Sequence, residues 1–219
     1  TLLLVPGLKE SDFDVIAAAG IRLVKFIFYD YSLLPNGEAE RYVQWARKRD
    51  IKVKIHSGGV SRSGVSQVAG FAIVKRLQPD VVGHITGGPI PMPENEVEQI
   101  VREMDCFVEI CSSGNLRMGL ALMRAIKAKQ AYDRVLIGTD TPGGTGVIPR
   151  GMLREIAFLS SVAEVPSEVA IAMATGNVAR GHGLGGGLIE EGKPADIVLL
   201  DLPVSTVGRV AHRSWAPTA

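Results

Sequence analysis

The sequence predicts an α/β protein: a parallel sheet assembled from repeated βα units. Short β-branched runs alternate with helical patterns about every 25 to 30 residues, the sign of strands joined by helical crossovers. The strand candidates are short and mostly apolar, as strands buried on both faces are. With 46% hydrophobic and 21% charged residues, the composition excludes a disordered chain. The 219 residues can bury a sizeable core, yet fall short of the roughly 250 that a complete eight-stranded (β/α) barrel usually needs.

Six strands are expected, at Leu2–Val5, Arg22–Phe28, Lys52–His56, Val81–His84, Cys106–Ile110 and Arg134–Gly138. A helix from Asp12 to Ala19 follows the first and ends at Gly20, a residue suited to the position just past a helix. Glu38–Arg49 reads as a helix with a charged outer face and Trp45 inside. Glu94–Met104 opens behind Pro93, and Leu116–Gln130 and Gly151–Ala163 repeat the pattern. Pro166–Ala174 is a further helix, with Ser167 and Glu168 in its first turn, and the glycine-rich stretch from Gly181 to Gly187 then breaks the period. Gly192–Asp201 reads as a turn and one strand, which cannot form a sheet alone and needs a partner outside the placed part. The expected division is a barrel-like part over 1–185 and a return segment over 186–219.

Net charge is +1 and the basic residues are scattered, so neither nucleic acid nor an anionic membrane surface is an expected partner; a small molecule is. No apolar run reaches the roughly 18 residues of a membrane helix, and Cys106 and Cys111 read as reduced structural thiols, which together suggest a cytoplasmic protein. The chain opens at Thr1 inside a strand candidate, leaving a fragment of a longer protein and a processed form both open. A homo-oligomer is also left open.

In a parallel α/β barrel the active site forms at the C-terminal ends of the strands, so polar residues there are the candidates for chemistry. Strand two contains Lys25, strand three ends at His56, strand four ends at His84, and strand six leads to Asp140. Two imidazoles at the ends of adjacent strands and a carboxylate two strands on suit a shared divalent metal such as zinc. Each histidine alone is as consistent with a structural role. Lys25, flanked by Leu23, Val24, Phe26, Ile27 and Phe28, either reaches water along its apolar stem or is neutralised, for instance by carboxylation to an anionic carbamate ligand. Gly59, Gly87, Gly88, Thr141, Gly143 and Gly144 are candidates to orient a substrate; Ser112 and Asn115 offer it hydrogen bonds or serve as ordinary loop caps. None of the glycine-rich loops matches a nucleotide-binding fingerprint.

His56-Ser57-Gly58-Gly59, the run Pro79 to Pro89 around His84, Gly138 to Gly146 around Asp140, Ala174-Thr175-Gly176-Asn177 and Gly192 to Val198 together resemble the amidohydrolase superfamily, and within it the enamidase-type members. The resemblance implies a (β/α)8 TIM-type barrel of which this chain carries strands three to eight, with part of a small β-sandwich at its end. It implies one or two divalent metals, zinc favoured over iron or manganese, held by Lys25 at the bridging position, His56, His84 and Asp140. It further implies hydrolysis of a C–N bond in a small cyclic amide, with Asp140 moving the proton and His84 assisting. The His-x-His pair that the family carries on its first barrel strand does not occur in these 219 residues, which implies a longer functional protein. The competing reading is a non-catalytic α/β binding module or subunit in which both histidines are structural.

Overall fold

The computed structural model describes residues 1–26, 37–58, 68–87, 90–111, 114–144 and 146–200. Six parallel strands form one sheet in sequential order: β1 (Leu2–Leu4), β2 (Leu23–Phe26), β3 (Lys52–His56), β4 (Val81–Gly83), β5 (Phe107–Cys111) and β6 (Val135–Gly138). Among the described residues each strand pairs only with its neighbours in sequence, the arrangement that repeated βα units produce. The six expected strands are all present within one or two residues, except that positions 27 and 28 of the second lie outside the described residues.

Helices α1 (Glu10–Ala18), α2 (Glu38–Arg47), α3 (Phe71–Leu77), α4 (Glu94–Glu103), α5 (Leu116–Lys129) and α6 (Gly151–Ser161) follow the strands in turn, and α7 (Ser167–Ala174) and α8 (Gly176–His182) come after. One face of the sheet, carrying Val24, Phe26, Val53, Ile55, Val82, Val108, Ile110, Val135 and Ile137, packs with the helices into a single core. At one end of that core Phe13, Tyr42 and Trp45 form a triangle of rings, with Phe13 5.8 and 5.7 Å from the other two and these 5.6 Å apart. Gly20, at φ +75, ends α1 as expected.

The other face is different, and here the expectation of strands apolar on both sides is corrected. Lys25 is in register with Lys54, His56 with Gly83, and Cys111 with Gly138. A Cβ on Gly83 would meet Lys54 Cε at 2.6 Å, and one on Gly138 would meet Glu109 Oε1 at 3.1 Å, so these residues share one face. The inner face of the sheet is therefore lined by charges and imidazoles, the alternation of a half-polar strand.

Two helices go beyond the sequence pattern. α3 has Gly70 at its N-cap and no side-chain cap. α8 carries glycines that disfavour a helix, and tertiary packing supplies what propensity lacks. A Cβ on Gly181 would lie 2.9 Å from Leu136 Cδ1, so the glycine lets α8 lie flush on β6. The Asn177 amide donates to the carbonyls of Tyr132 and Val135 at 3.0 and 2.9 Å, and the Arg180 guanidinium sits 5.6 Å from the Phe107 ring centre. The strand expected within Gly192–Asp201 is not formed over 192–200, where Val198 and Leu199 are 80% and 96% exposed; among the described residues no neighbouring strand pairs with it. Residue 201 and the rest of the return segment lie outside the described residues.

Candidate functional site

Every described site candidate lies on the inner face or at the C-terminal ends of the strands. His56 is the last residue of β3, and His84 follows β4 directly. Their rings meet edge to face with centroids 4.2 Å apart. The pairing rests on the loops behind them. Gly58 (φ +64) and Gly87 (φ +58) adopt left-handed backbone, and a Cβ on Gly58 would stand 2.7 Å from Gly87 Cα. These glycines permit close approach of backbone to backbone.

His84 itself has φ +34, uncommon for a residue with a Cβ. Its ring is fixed by an Nδ1 contact of 2.8 Å to the carbonyl of Ser57. A carbonyl only accepts, so Nδ1 carries the hydrogen and Nε2 presents its lone pair; the tautomer is assigned from this partner. Burial, and then the positive charge of Lys25, push the His84 imidazole below its ordinary range, which favours the neutral form that binds metals.

Lys25 is half-buried and makes no hydrogen bond or salt bridge among the described residues. Burial and then the charge of Lys54 push its ammonium below the ordinary lysine range, with Glu109 and Asp140 pulling the other way. Asp140, two residues beyond β6 at φ +55, thus lies within electrostatic reach of Lys25 and His84. The carbonyl of Asp140 accepts from the Gly144 N–H at 2.7 Å, closing the turn that contains Thr141 and Gly143. Thr141 and Gly143 are exposed at its rim. Asn115 caps α5, its side chain accepting from the Met118 N–H at 3.3 Å, which is the ordinary role of the two left open. Its own N–H donates to the Gly87 carbonyl at 2.9 Å. Gly59, Gly88 and Ser112 lie outside the described residues.

Two residues absent from the expected set stand at the centre of the face. Lys54 Nζ donates to Glu109 Oε1 at 2.6 Å, with both side chains 11% exposed. Glu109 Oε2 accepts the His84 backbone N–H at 3.0 Å. Burial on its own would raise the Glu109 carboxyl, but the charge and hydrogen bond of Lys54, with the His84 contacts, hold it below the usual carboxylate range. The signal was present in the sequence as alternation: Lys52, Lys54 and His56 in one run, Glu109 and Cys111 in another.

Among the described residues, no three His, Cys, Asp or Glu side chains are grouped closely enough to hold a metal ion by themselves. The chain supplies part of a donor set: two adjacent imidazoles, one with Nε2 presented, and a carboxylate within electrostatic reach. In donor chemistry that part fits a divalent metal.

The amidohydrolase family model matches residues 23–216, most of the chain and all of this face beyond β1. The chain belongs to the amidohydrolase family. Its relatives include enamidase of Eubacterium barkeri, 37% identical over 210 residues that make up 96% of this chain and 54% of the relative. An enamidase crystal structure superposes with a TM-score of 0.84 at 36% identity, over 95% of this chain and 55% of that one. N-acetylglucosamine-6-phosphate deacetylase of Pasteurella multocida shares the fold alone, with a TM-score of 0.58 at 13% identity over 86% of this chain and 55% of that one. This amidohydrolase chain therefore spans about half the length of the curated relative it matches, and its six-stranded sheet is part of a TIM-barrel-type fold. Amidohydrolases typically bind divalent metals. No helix among the described residues is long and apolar enough to cross a membrane.

Proposed function

We propose that the protein containing this chain is a metal-dependent hydrolase that cleaves a C–N bond in a small cyclic amide or enamide. The observation that carries the reading is the edge-to-face pair of His56 and His84 at adjacent strand ends, within a frame that superposes on enamidase. In this reading residues 1–185 are the C-terminal part of the barrel and 186–219 return towards a small β-sandwich, as the sequence suggests.

His56, His84 and Asp140 would hold the metal, with Lys25 as a bridging ligand once carboxylated; zinc is favoured over iron and manganese. A divalent metal supplies water activation and carbonyl polarisation. The chain's own residues do the rest. His84 keeps its proton on Nδ1 through Ser57, which leaves Nε2 as the donor atom. Asp140 takes a proton from the attacking water and passes it to the leaving nitrogen. The Gly87 and Gly143–Gly144 backbone, with Thr141, orients the substrate at the rim. The free-thiol character of buried Cys106 and Cys111 supports a cytoplasmic setting.

Metal analysis of the purified full-length protein tests the reading. About one or two equivalents of zinc, iron or manganese are expected. His56→Ala and His84→Ala should each lower both metal content and hydrolysis. A metal-free wild type, or full metal content in both variants, would favour the non-catalytic module.

A further inference from the structure

We propose that Glu109 is the positioning residue for His84, acting through the carboxyl oxygen that accepts the His84 backbone N–H, while the buried Lys54 occupies its other oxygen. The inference deepens the proposed function, since it treats His84 as a ligand. Glu109 divides its two oxygens: Oε1 accepts from Lys54 Nζ at 2.6 Å, and Oε2 accepts from the His84 backbone N–H at 3.0 Å. That N–H belongs to a residue at φ +34, just past the end of β4, where the ladder no longer supplies a partner. Without Glu109 the amide would be a buried orphan in an uncommon backbone conformation, and both penalties would favour a different local geometry.

The consequence reaches the ring. The His84 backbone sets where its imidazole points, and the ring is then held by Nδ1 on the Ser57 carbonyl, with the His56 ring 4.2 Å away. Three consecutive strands contribute: Lys54 from β3, the His84 amide beyond β4, and Glu109 from β5. Gly83 completes the arrangement, because a Cβ there would collide with Lys54 Cε at 2.6 Å and block the lysine's path across β4 to Glu109. An ion pair whose role was stability alone would need no second oxygen on the backbone of a candidate ligand.

The test separates the acceptor from the charge. In the full-length protein, Lys54→Met with Glu109→Gln removes both charges and keeps a carbonyl oxygen for the His84 N–H. Lys54→Met with Glu109→Leu removes both charges and the acceptor as well. Two readouts are used: the ring-nitrogen NMR signals of His84 in chelator-treated protein, which report its tautomer, and zinc affinity by chelator competition. The glutamine variant should keep the Nδ1–H tautomer and bind zinc within about threefold of the wild type, whereas the leucine variant should show mixed tautomers and about 10- to 100-fold weaker binding. Indistinguishable behaviour of the two variants would overturn the proposal. Should the leucine variant not fold, the glutamine variant decides, since loss of the tautomer there would equally overturn it. A wild type that binds no zinc would refute the proposed function, while the tautomer signals would still decide whether Glu109 positions His84.

Discussion

Replacing Lys54 with methionine should destabilise the protein far more than an exposed ion pair could explain. At 2.6 Å the two charges attract by about 6 kcal/mol if the effective dielectric is about 20. Desolvation costs several kcal/mol per ion, so the pair as a whole contributes little beyond what two apolar groups would. Removing only the lysine is another matter, because the Glu109 carboxylate stays behind at 8% exposure. Breaking such a pair typically costs about 3 to 5 kcal/mol. Lys25 lies within electrostatic reach of Glu109 and offsets part of the loss, which places the expectation at the lower end, about 3 kcal/mol. Urea unfolding at constant slope measures it, and a double-mutant cycle with Glu109→Gln isolates the coupling. The double variant should lie nearer the wild type than either single variant. A Lys54→Met protein within about 1 kcal/mol of the wild type, the scale of an exposed pair, would refute the argument.

Asp140→Asn should lower kcat by about 100- to 10,000-fold while the fold is kept, since Asn tolerates the left-handed backbone at φ +55 but cannot shuttle the proton; steady-state kinetics within threefold of the wild type would count against it. Phe13→Ala should cost about 3 to 5 kcal/mol in denaturant titration, because losing a fully buried ring packed against Tyr42 and Trp45 leaves a cavity that the neighbouring aromatics cannot refill. Burial pushes the Cys106 thiol up from 9.0 to about 11. The folded state therefore binds the proton more tightly: stability is complete below about pH 9 and falls as pH rises towards 11, by about 3 kcal/mol at most. Cys106→Ala should flatten that slope in unfolding experiments across the same window.

The strands were legible because short β-branched runs bounded by helical patterns admit few other readings, and their ends pointed to His56, His84 and Asp140 before any contact was known. What the sequence hid depends on partners remote in the chain. Glu109 and Lys54 are 55 residues apart, and each alone resembles an ordinary charged residue in a strand. α8 escaped notice because Gly181 weakens a helix locally, while its reason for being glycine, the Leu136 side chain, becomes apparent only on folding. The run 192–200 differs again: its residues suit a strand, but, as the sequence already implied, pairing requires a neighbour from outside this part of the chain.

The contact between Gly58 and Gly87 makes the two histidine-bearing loops one mechanical unit. With no side chains between them, the backbones behind the two imidazoles stand in direct contact, so the points from which His56 and His84 project are tied to each other. A Cβ at position 58 would press on Gly87 Cα at 2.7 Å, and one at position 87 on Pro91 Cα at 2.8 Å and Gly58 Cα at 3.2 Å, so a substitution at either glycine would strain the contact between the two loops. The approach of the two loops is thus a property of the two glycines as much as of the histidines they carry.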